Sequence, residues 1–352
     1  MSAMYQTNNY YGYGYGQPRG SDYYQPANLI APPVQAQQIA GSNISYQYSL
    51  CTGRRKALLI GINYIGTNNQ LRGCINDIHN ILNFLTTRCN YRQEDIVLLS
   101  DDQPNPVCQP TRANMIRAMH WLVKDAQPND ALFFHYSGHG GQVEDLDGDE
   151  EDGYDSTIYP VDFATAGVII DDELHDILVK PLQQGVRLTA LMDSCHSGTA
   201  LDLPYIYSTK GVVKEPNMMK DVGGDAMGAA LCYMSGNTYG MMSSLGNMVT
   251  KVSRGKGMGK QKREQMRQAK FCSADVIMFS GSKDNQTSAD SVENGQATGA
   301  MSYAFIKVLS AQPQQTYLSL LQNMRQELTG KYSQKPQLSA SHPIDVNLQF
   351  VN

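Results

Sequence analysis

Residues 187–198 read RLTALMDSCHSG. The run from Arg187 to Asp193 is short, continuous and mostly apolar, and it stops abruptly at small and polar residues. That pattern predicts a strand buried on both faces, with Cys195 just past its carboxyl end. Taken alone, a thiol in that position is most simply a small buried hydrophobe. Its surroundings decide whether it is more.

The same construction recurs along the chain. DALFFHYSGHG (130–140) is an apolar run ending in glycines around His139, and KALLIGI (56–62), DIVLLS (95–100) and DVIMFSG (275–281) are further buried-strand candidates. Between them, CINDIHNILNFL places Ile75, Ile78, Ile81, Leu82 and Leu85 at helical spacing, and TRANMIRAMHWLVKDA (111–126) reads as a second amphipathic helix. GVIIDDELHDILV (167–179) turns from a short strand into a helix, and TGAMSYAFIKVLS and TYLSLLQNMRQELTG supply two more, the last stopped by Gly330. Continuous apolar strands alternating with helices predict an α/β fold, a mostly parallel central sheet with helices on both faces.

At 352 residues and 41% hydrophobic content, the chain can bury a substantial core as one large or two ordinary domains. A net charge of -5 argues against nucleic acid or an anionic membrane as the main partner. The seven cysteines are odd in number and scattered, with no C-x-x-C pair, so zinc or a thioredoxin-like couple is disfavoured and free thiols in a reducing compartment are expected. The N-terminus lacks a basic start followed by an apolar core, and no stretch approaches the ~18 apolar residues that span a bilayer. The reading is a cytoplasmic protein with no membrane partner, nuclear entry remaining open.

Residues 1–50 differ in composition from the rest. They mix Tyr, Gln, Asn, Gly and Pro, with Arg19 and Asp22 as the only charged side chains. Such a segment has too little aliphatic surface to fold alone and reads as a disordered, prion-like tail, either inert or regulatory. Residues 51–210 are expected to form a large part and 273–352 a smaller one. Between them, 211–272 is weakly periodic, rich in Gly and Met, and carries the basic run KVSRGKGMGKQKREQMRQAK (251–270). Without interleaved aromatic residues or a phosphate-loop pattern, that run is expected to be a solvated, protease-sensitive loop.

Open parallel sheets place their sites beyond the carboxyl ends of the strands. Two predicted strands end there in reactive side chains, His139 and Cys195, separated by 56 residues, ample for a crossover connection. An imidazole beside a thiol can take its proton and later return one to a leaving amine. Gly138, Gly140, Gly141 and Gly198 would let backbone N–H groups approach a substrate carbonyl as an oxyanion hole requires, with Gly140 and Cys195 the chosen donors. The competing histidines are weaker: His135 lies within a strand, His196 points away from its neighbour in an extended chain, and His79, His120 and His175 read as surface helix positions.

HYSGHG followed by DSCHSG, on this alternation of strands and helices, resembles the caspase-like clan of cysteine proteases and specifically the type I metacaspases. RRKALLIGINYIGTNNQLRGCINDIHN, TRANMIRAMHWLVKDAQPND, EDLDGDEEDG and KPQLSASHPIDVNLQF are similar to the fungal members. The resemblance covers residue 54 to the C-terminus. It implies the caspase-hemoglobinase fold, a His139–Cys195 dyad, and cleavage of protein substrates after Arg or Lys. By the same analogy Cys74, Asp77, Ser137 and Asp193 line the pocket for the basic side chain. Independently of the family, Asp193 precedes the thiol by two positions and Asp77 begins the helix after the first strand, where the helix dipole alone would favour an acid.

EDLDGDEEDGYD (144–155) invites a calcium reading, yet Glu150 stands where an EF-hand needs Gly and Ser156 where it needs Glu, so it is not an EF-hand. The resemblance implies instead that Asp155, Asp171, Asp172 and Asp202 hold an activating, non-catalytic Ca2+. For Asp171 and Asp172, helix capping is the competing explanation. A protease for Arg and Lys would find Lys251, Arg254 and Lys256 in its own basic loop, so autoprocessing is expected there. Fungal metacaspases are associated with cell death and protein quality control. The alternative from another class is a proteostasis factor that binds aggregates and chaperones through the Gln/Tyr-rich tail, the dyad being incidental. Nucleic-acid binding through 251–270 ranks last. A monomer is implied by the family, not by the residues.

Overall fold

A computed structural model describes residues 23–26, 28–39, 42–145, 153–194, 198–211, 213, 267–282, 291–293, 296–332 and 334–352. Lys251, Arg254, Lys256 and Cys195 lie outside the described residues.

In chain order, a small hairpin pairs β1 (Gln37–Gln38) with β2 (Ser45–Tyr46). The apolar runs then become β3 (Arg55–Gly61), β4 (Ile96–Ser100), β5 (Ala131–Ser137), β9 (Arg187–Asp193) and β11 (Asp275–Ser282). The helices between and after them are α1 (Cys74–Arg88), α2 (Arg112–Val123), α3 (Phe163–Ala166), α4 (Asp171–Leu178), α5 (Ala300–Ala311) and α6 (Tyr317–Leu328). Thr111 caps α2 and Thr316 caps α6, each side chain accepting the backbone N–H three residues on.

The central sheet has seven strands in the order β10-β14-β11-β9-β5-β3-β4. The five apolar runs are mutually parallel. The antiparallel edge consists of β14 (Lys335–Ala340) on β11 and β10 (Tyr205–Tyr207) on β14. Neither of these strands announced itself in the sequence. KPQLSA begins with Lys-Pro, and YIY is only three residues long, so their pairing comes from the tertiary partner rather than from local pattern. The polar turn after β5 folds into a smaller antiparallel sheet of β6 (Gly140–Glu144), β7 (Tyr154–Ile158) and β8 (Ile169–Ile170). A further hairpin joins β12 (Ser291–Glu293) to β13 (Gln296–Thr298).

Successive side chains of the parallel strands enter opposite cores. Leu59, Phe133, Leu191 and Ile277 pack with α1, α5 and α6, while Leu58, Phe134, Ala190 and Met278 pack with α2 and α4. Both faces are therefore dry, and each such side chain contributes about 1.5–3 kcal/mol of burial. The large and small parts share this one sheet. At their junction Arg187 on β9 bonds Asp275 on β11 at 2.7 Å, both side chains 0% exposed. Arg187 also donates to the Val351 carbonyl and to Tyr317, and His342 lies 3.3 Å from the other Asp275 oxygen. Burial alone would raise Asp275, but the Arg187 charge and His342 hold it down at about 2.

The expected tail boundary at residue 50 is not a packing boundary. Tyr23 and Tyr48 are buried in the core beside α5 and α6. Tyr23 donates to Glu327 at 2.5 Å, and Tyr24 and Asn323 exchange two hydrogen bonds at 2.8 and 3.1 Å. The Ser49 N–H donates to Asp275 at 2.8 Å. Composition set these residues with the tail, whereas their tyrosines anchor them on the catalytic body. Among the described residues no helix is long and apolar enough to cross a membrane.

Candidate active site

The chain leaves β3 for α1, whose strand partner β4 lies on one side, and then returns to place β5 on the other side of β3. That reversal creates a crevice at the carboxyl ends of the central strands. Gly61, Ser137 and Asp193 sit side by side there, ending β3, β5 and β9 in register. A side chain at Gly61 would lie 2.5 Å from the Cys74 carbonyl, so glycine lets the first turn of α1 press onto the sheet. Cys74 and Asp77, three residues apart on that helix, are both buried.

His139 follows β5 and is held on every side. Its Nε2 lies 2.8 Å from the Asn69 carbonyl, so that nitrogen carries the proton and the basic lone pair is on Nδ1. Its ring packs against Tyr64 at 4.6 Å between centroids, and its N–H donates to the Tyr64 hydroxyl at 3.0 Å. Tyr64 donates in turn to the Tyr159 carbonyl at 2.7 Å, and Tyr136 donates to the His139 carbonyl at 2.6 Å. Burial pushes the Tyr64 and Tyr136 hydroxyls well up from their ordinary range, so both remain protonated donors.

The tyrosines also revise the expected reason for two glycines. A Cβ at Gly138 would lie 2.6 Å from the Tyr136 hydroxyl, and one at Gly141 would lie 2.3 Å from that of Tyr159. Those glycines make room for rings, not for substrate. Gly140 opens β6, paired across to Ile158. Gly198 accepts from Gln337 on β14 at 3.1 Å. Cys195 lies in the interval between Ser194, buried just past β9, and Gly198.

Asp77 and Asp193 meet beneath this end of the sheet. Ser137 donates to Asp77 at 2.7 Å, as does Thr298. The Gly299 N–H reaches both Asp77 oxygens, at 2.8 and 3.0 Å. Asp193 accepts the Ser302 N–H at 2.7 Å and the Met301 N–H at 3.3 Å, at the start of α5. Burial first, and the Asp193 charge second, raise Asp77 well above the ordinary carboxylate range, while its hydrogen bonds work the other way. Asp77 is therefore far more than a residue placed by its own helix dipole. Thr298, Gly299 and Ser302 were not legible as site residues, because TGAMSYAF reads only as a helix start.

The other histidines divide as their surroundings dictate. His135 is fully buried, with Nδ1 2.9 Å from the Leu191 carbonyl, and burial lowers it to about 4. His175, expected on the surface, is buried instead, with Nδ1 3.0 Å from the Leu201 carbonyl. The turn after β9 that carries Leu201 meets this face of α4.

The four acids assigned to calcium are Asp155 on β7, Asp171 and Asp172 opening α4, and Asp202 after β9. Asp171 accepts from the Ser156 N–H at 2.8 Å. It does not act as the helix cap, which is Ile170. Burial and then the charges of Asp202, Asp155 and Asp172 push it up to about 8. Asp202 bonds Lys270 at 2.6 Å. Among the described residues, no three such side chains are gathered to hold a metal ion.

Residues 55–204 match the family model described as metacaspase, peptidase C14 domain. Metacaspase-1 of Saccharomyces cerevisiae is 68% identical over 96% of this chain and 79% of its own length. Metacaspase-1 of Kluyveromyces lactis is 68% identical over 94% of this chain and 76% of its own length, and Metacaspase-1B of Aspergillus terreus 59% identical over 91% and 84%. A crystal structure of a Geobacter sulfurreducens protein shares the fold, with a TM-score of 0.53 and 22% identity over 85% of this chain and 98% of that one. With identity of this extent across nearly the whole chain, and with the caspase-like sheet that the residues build, the chain belongs to the fungal type I metacaspases, a family of cysteine-type peptidases.

Proposed function

We propose that the chain is a calcium-activated endopeptidase that cleaves protein substrates after Arg or Lys, with Cys195 as nucleophile and His139 as its base. The observation that supports this specificity most is the buried pair Asp77 and Asp193 at the strand ends that deliver His139. Two carboxylates crowded out of water favour an incoming guanidinium or ammonium, which relieves both the burial and the mutual repulsion. An acidic side chain in the same place would add a third negative charge. Cys74 and Ser137, buried beside them, complete the lining.

The chemistry follows from the held imidazole. His139 Nδ1 takes the Cys195 proton, and the thiolate attacks the carbonyl carbon after the basic residue. The N–H groups of Gly140 and Cys195 receive the oxyanion as the tetrahedral centre forms. On collapse, the C–N bond breaks and the imidazolium protonates the leaving amine. His139 then deprotonates a water that attacks the thioester, and the thiol is regenerated. Asn69 and Tyr64 keep the ring from turning, so the basic nitrogen faces one way throughout.

Asp155, Asp171, Asp172 and Asp202 would hold the calcium. The donor set is all oxygen, and burial and then repulsion from the other three raise Asp171, which suits a hard divalent cation. Its contribution when bound is charge neutralisation that draws these loops together, with no part in the bond-breaking steps. Autoprocessing at Lys251, Arg254 or Lys256 follows from the same specificity. β10 closes the β14 edge of the sheet, which supports a monomer.

The test is initial rates on fluorogenic peptides ending in Arg, Lys or Asp, with calcium or chelator, for the wild type and Cys195→Ala. Cleavage after Arg and Lys only, dependent on calcium and abolished by Cys195→Ala, is the expected result. Cleavage after Asp, or rates indifferent to Cys195, would overturn it. The tail-mediated aggregate-binding reading predicts instead that Cys195→Ala leaves function untouched.

A further inference from the structure

The carboxylates proposed to receive the basic side chain belong to the large part of the chain, yet most of what holds them comes from the small part. Asp77 is clasped by Thr298 and Gly299, 221 and 222 residues further on. Asp193 is clasped by the first amides of α5, Met301 and Ser302. The five-residue stretch Thr298–Ser302 therefore bridges both acids. Gly299, its second residue, is bonded to Asp77 and pressed against Asp193. A Cβ there would sit 2.3 Å from the Asp193 carboxyl carbon and from one of its oxygens. No side chain fits between the two acids without moving one of them.

We propose that Thr298 and Gly299 are specificity-determining positioning residues, which hold Asp77 and Asp193 as one charged receptor for a guanidinium or ammonium group. This rests on the reading of Asp77 and Asp193 as the pocket for that group. Two buried like charges stay close and ionised only where donors compensate them. Asp77 has such donors in the Thr298 hydroxyl, the Gly299 N–H and the Ser137 hydroxyl, all within 3.0 Å. Of these, Thr298 belongs neither to the central sheet nor to the dyad. Removing its hydroxyl makes Asp77 harder to ionise. A neutral Asp77 still hydrogen-bonds, but it no longer attracts a cation. Gly299 acts by space, because any larger residue displaces the Asp193 carboxylate. The pocket is thus completed only when the segment leading into α5 is seated against α1 and β9.

The experiment compares the full-length wild type with Thr298→Val, Thr298→Ser and Gly299→Ala. Each is assayed on a peptide ending in Arg and on the same peptide ending in citrulline, its neutral isostere. Thr298→Val is expected to raise KM for the Arg peptide about tenfold with kcat within about threefold, and to leave the citrulline peptide unchanged. It also moves the acid limb of the kcat/KM profile to higher pH, which a loss of general stability would not do. Thr298→Ser keeps the donor and restores wild-type values. Gly299→Ala lowers the preference for Arg over citrulline by about a hundredfold. Should Thr298→Val fail to fold, Thr298→Ala carries the same comparison. If wild-type selectivity for Arg over citrulline survives Thr298→Val unchanged, or both peptides suffer equally, the clasp is overturned while the pocket reading stands. If the wild type itself does not distinguish the two peptides, the pocket reading falls and the clasp with it.

Discussion

The Nε2 of His139 lies 2.8 Å from the carbonyl oxygen of Asn69, in the loop after β3. The imidazole proposed as the base is thus oriented by a backbone group, with Tyr64 beneath its ring. His139→Gln is expected to lower kcat/KM by roughly 10²–10⁴-fold, the usual worth of a general acid and base. Tyr64→Phe leaves the His139 N–H without its acceptor at a cost of about 1–3 kcal/mol. Thermal unfolding and peptide hydrolysis, measured together, separate that loss of stability from loss of activity.

His135 makes folding stability depend on acid. It is held neutral, at about 4 against an ordinary 6.5, by burial between β5 and β9. Because the unfolded chain binds this proton more tightly, the contribution is complete above pH ~6.5 and is lost as pH falls toward ~4. The loss reaches on the order of 3 kcal/mol at pH ~4. His135→Gln is expected to flatten this part of the stability profile, measured by urea unfolding at successive pH values. An unchanged slope between pH ~6.5 and ~4 would show that another group carries it.

Arg187 and Asp275 join the two parts of the chain within one dry layer. Arg187→Met leaves the buried Asp275 charge with only His342 and the Ser49 N–H beside it and should cost about 3–5 kcal/mol. Replacing both, as Arg187→Met with Asp275→Leu, should recover much of that, since an apolar pair of similar volume avoids desolvating two ions. Chemical denaturation of these two variants and of Asp275→Leu alone checks the cycle; additive losses would refute the coupling.

Calcium should stabilise the inactive Cys195→Ala protein directly. At a hundred times its dissociation constant, the expected gain is about 2.7 kcal/mol, read as a rise in Tm. Asp202→Asn should remove most of the rise. Lys270→Met should enlarge it, because the ammonium bonded to Asp202 at 2.6 Å competes for the same oxygens. A Tm indifferent to calcium in all three would remove these acids from consideration as its ligands.

The parallel strands and their helices were legible because their signal is local. A run such as LTALM (188–192) in β9, apolar but for one Thr, has few ways to be satisfied except between two helix layers. His139 was legible for the same reason, standing at the end of such a run. Thr298, Gly299, Asn69 and Lys270 were not, since each acts through a hydrogen bond or ion pair to a residue far away in sequence. Antiparallel β14 was missed on the same ground. The buried position of His175 was missed because helical spacing in DDELHDIL leaves its flank ambiguous between water and the turn carrying Leu201. Tyr23 and Tyr48 show the limit of composition as a guide: a polar, aromatic-rich segment holds little core, but two rings suffice to fasten it.

That fastening has a mechanical meaning. The chain joins the body at Tyr23, bonded to Glu327, and at Tyr24, doubly bonded to Asn323, both on α6. A pull reaching Tyr23 and Tyr24 is therefore borne first by α6. His139 and Asp193 stand instead at the ends of β5 and β9, within the sheet whose β9 and β11 Arg187 and Asp275 tie together. The protein can be leashed by its N-terminus to something large and still keep its cutting edge true.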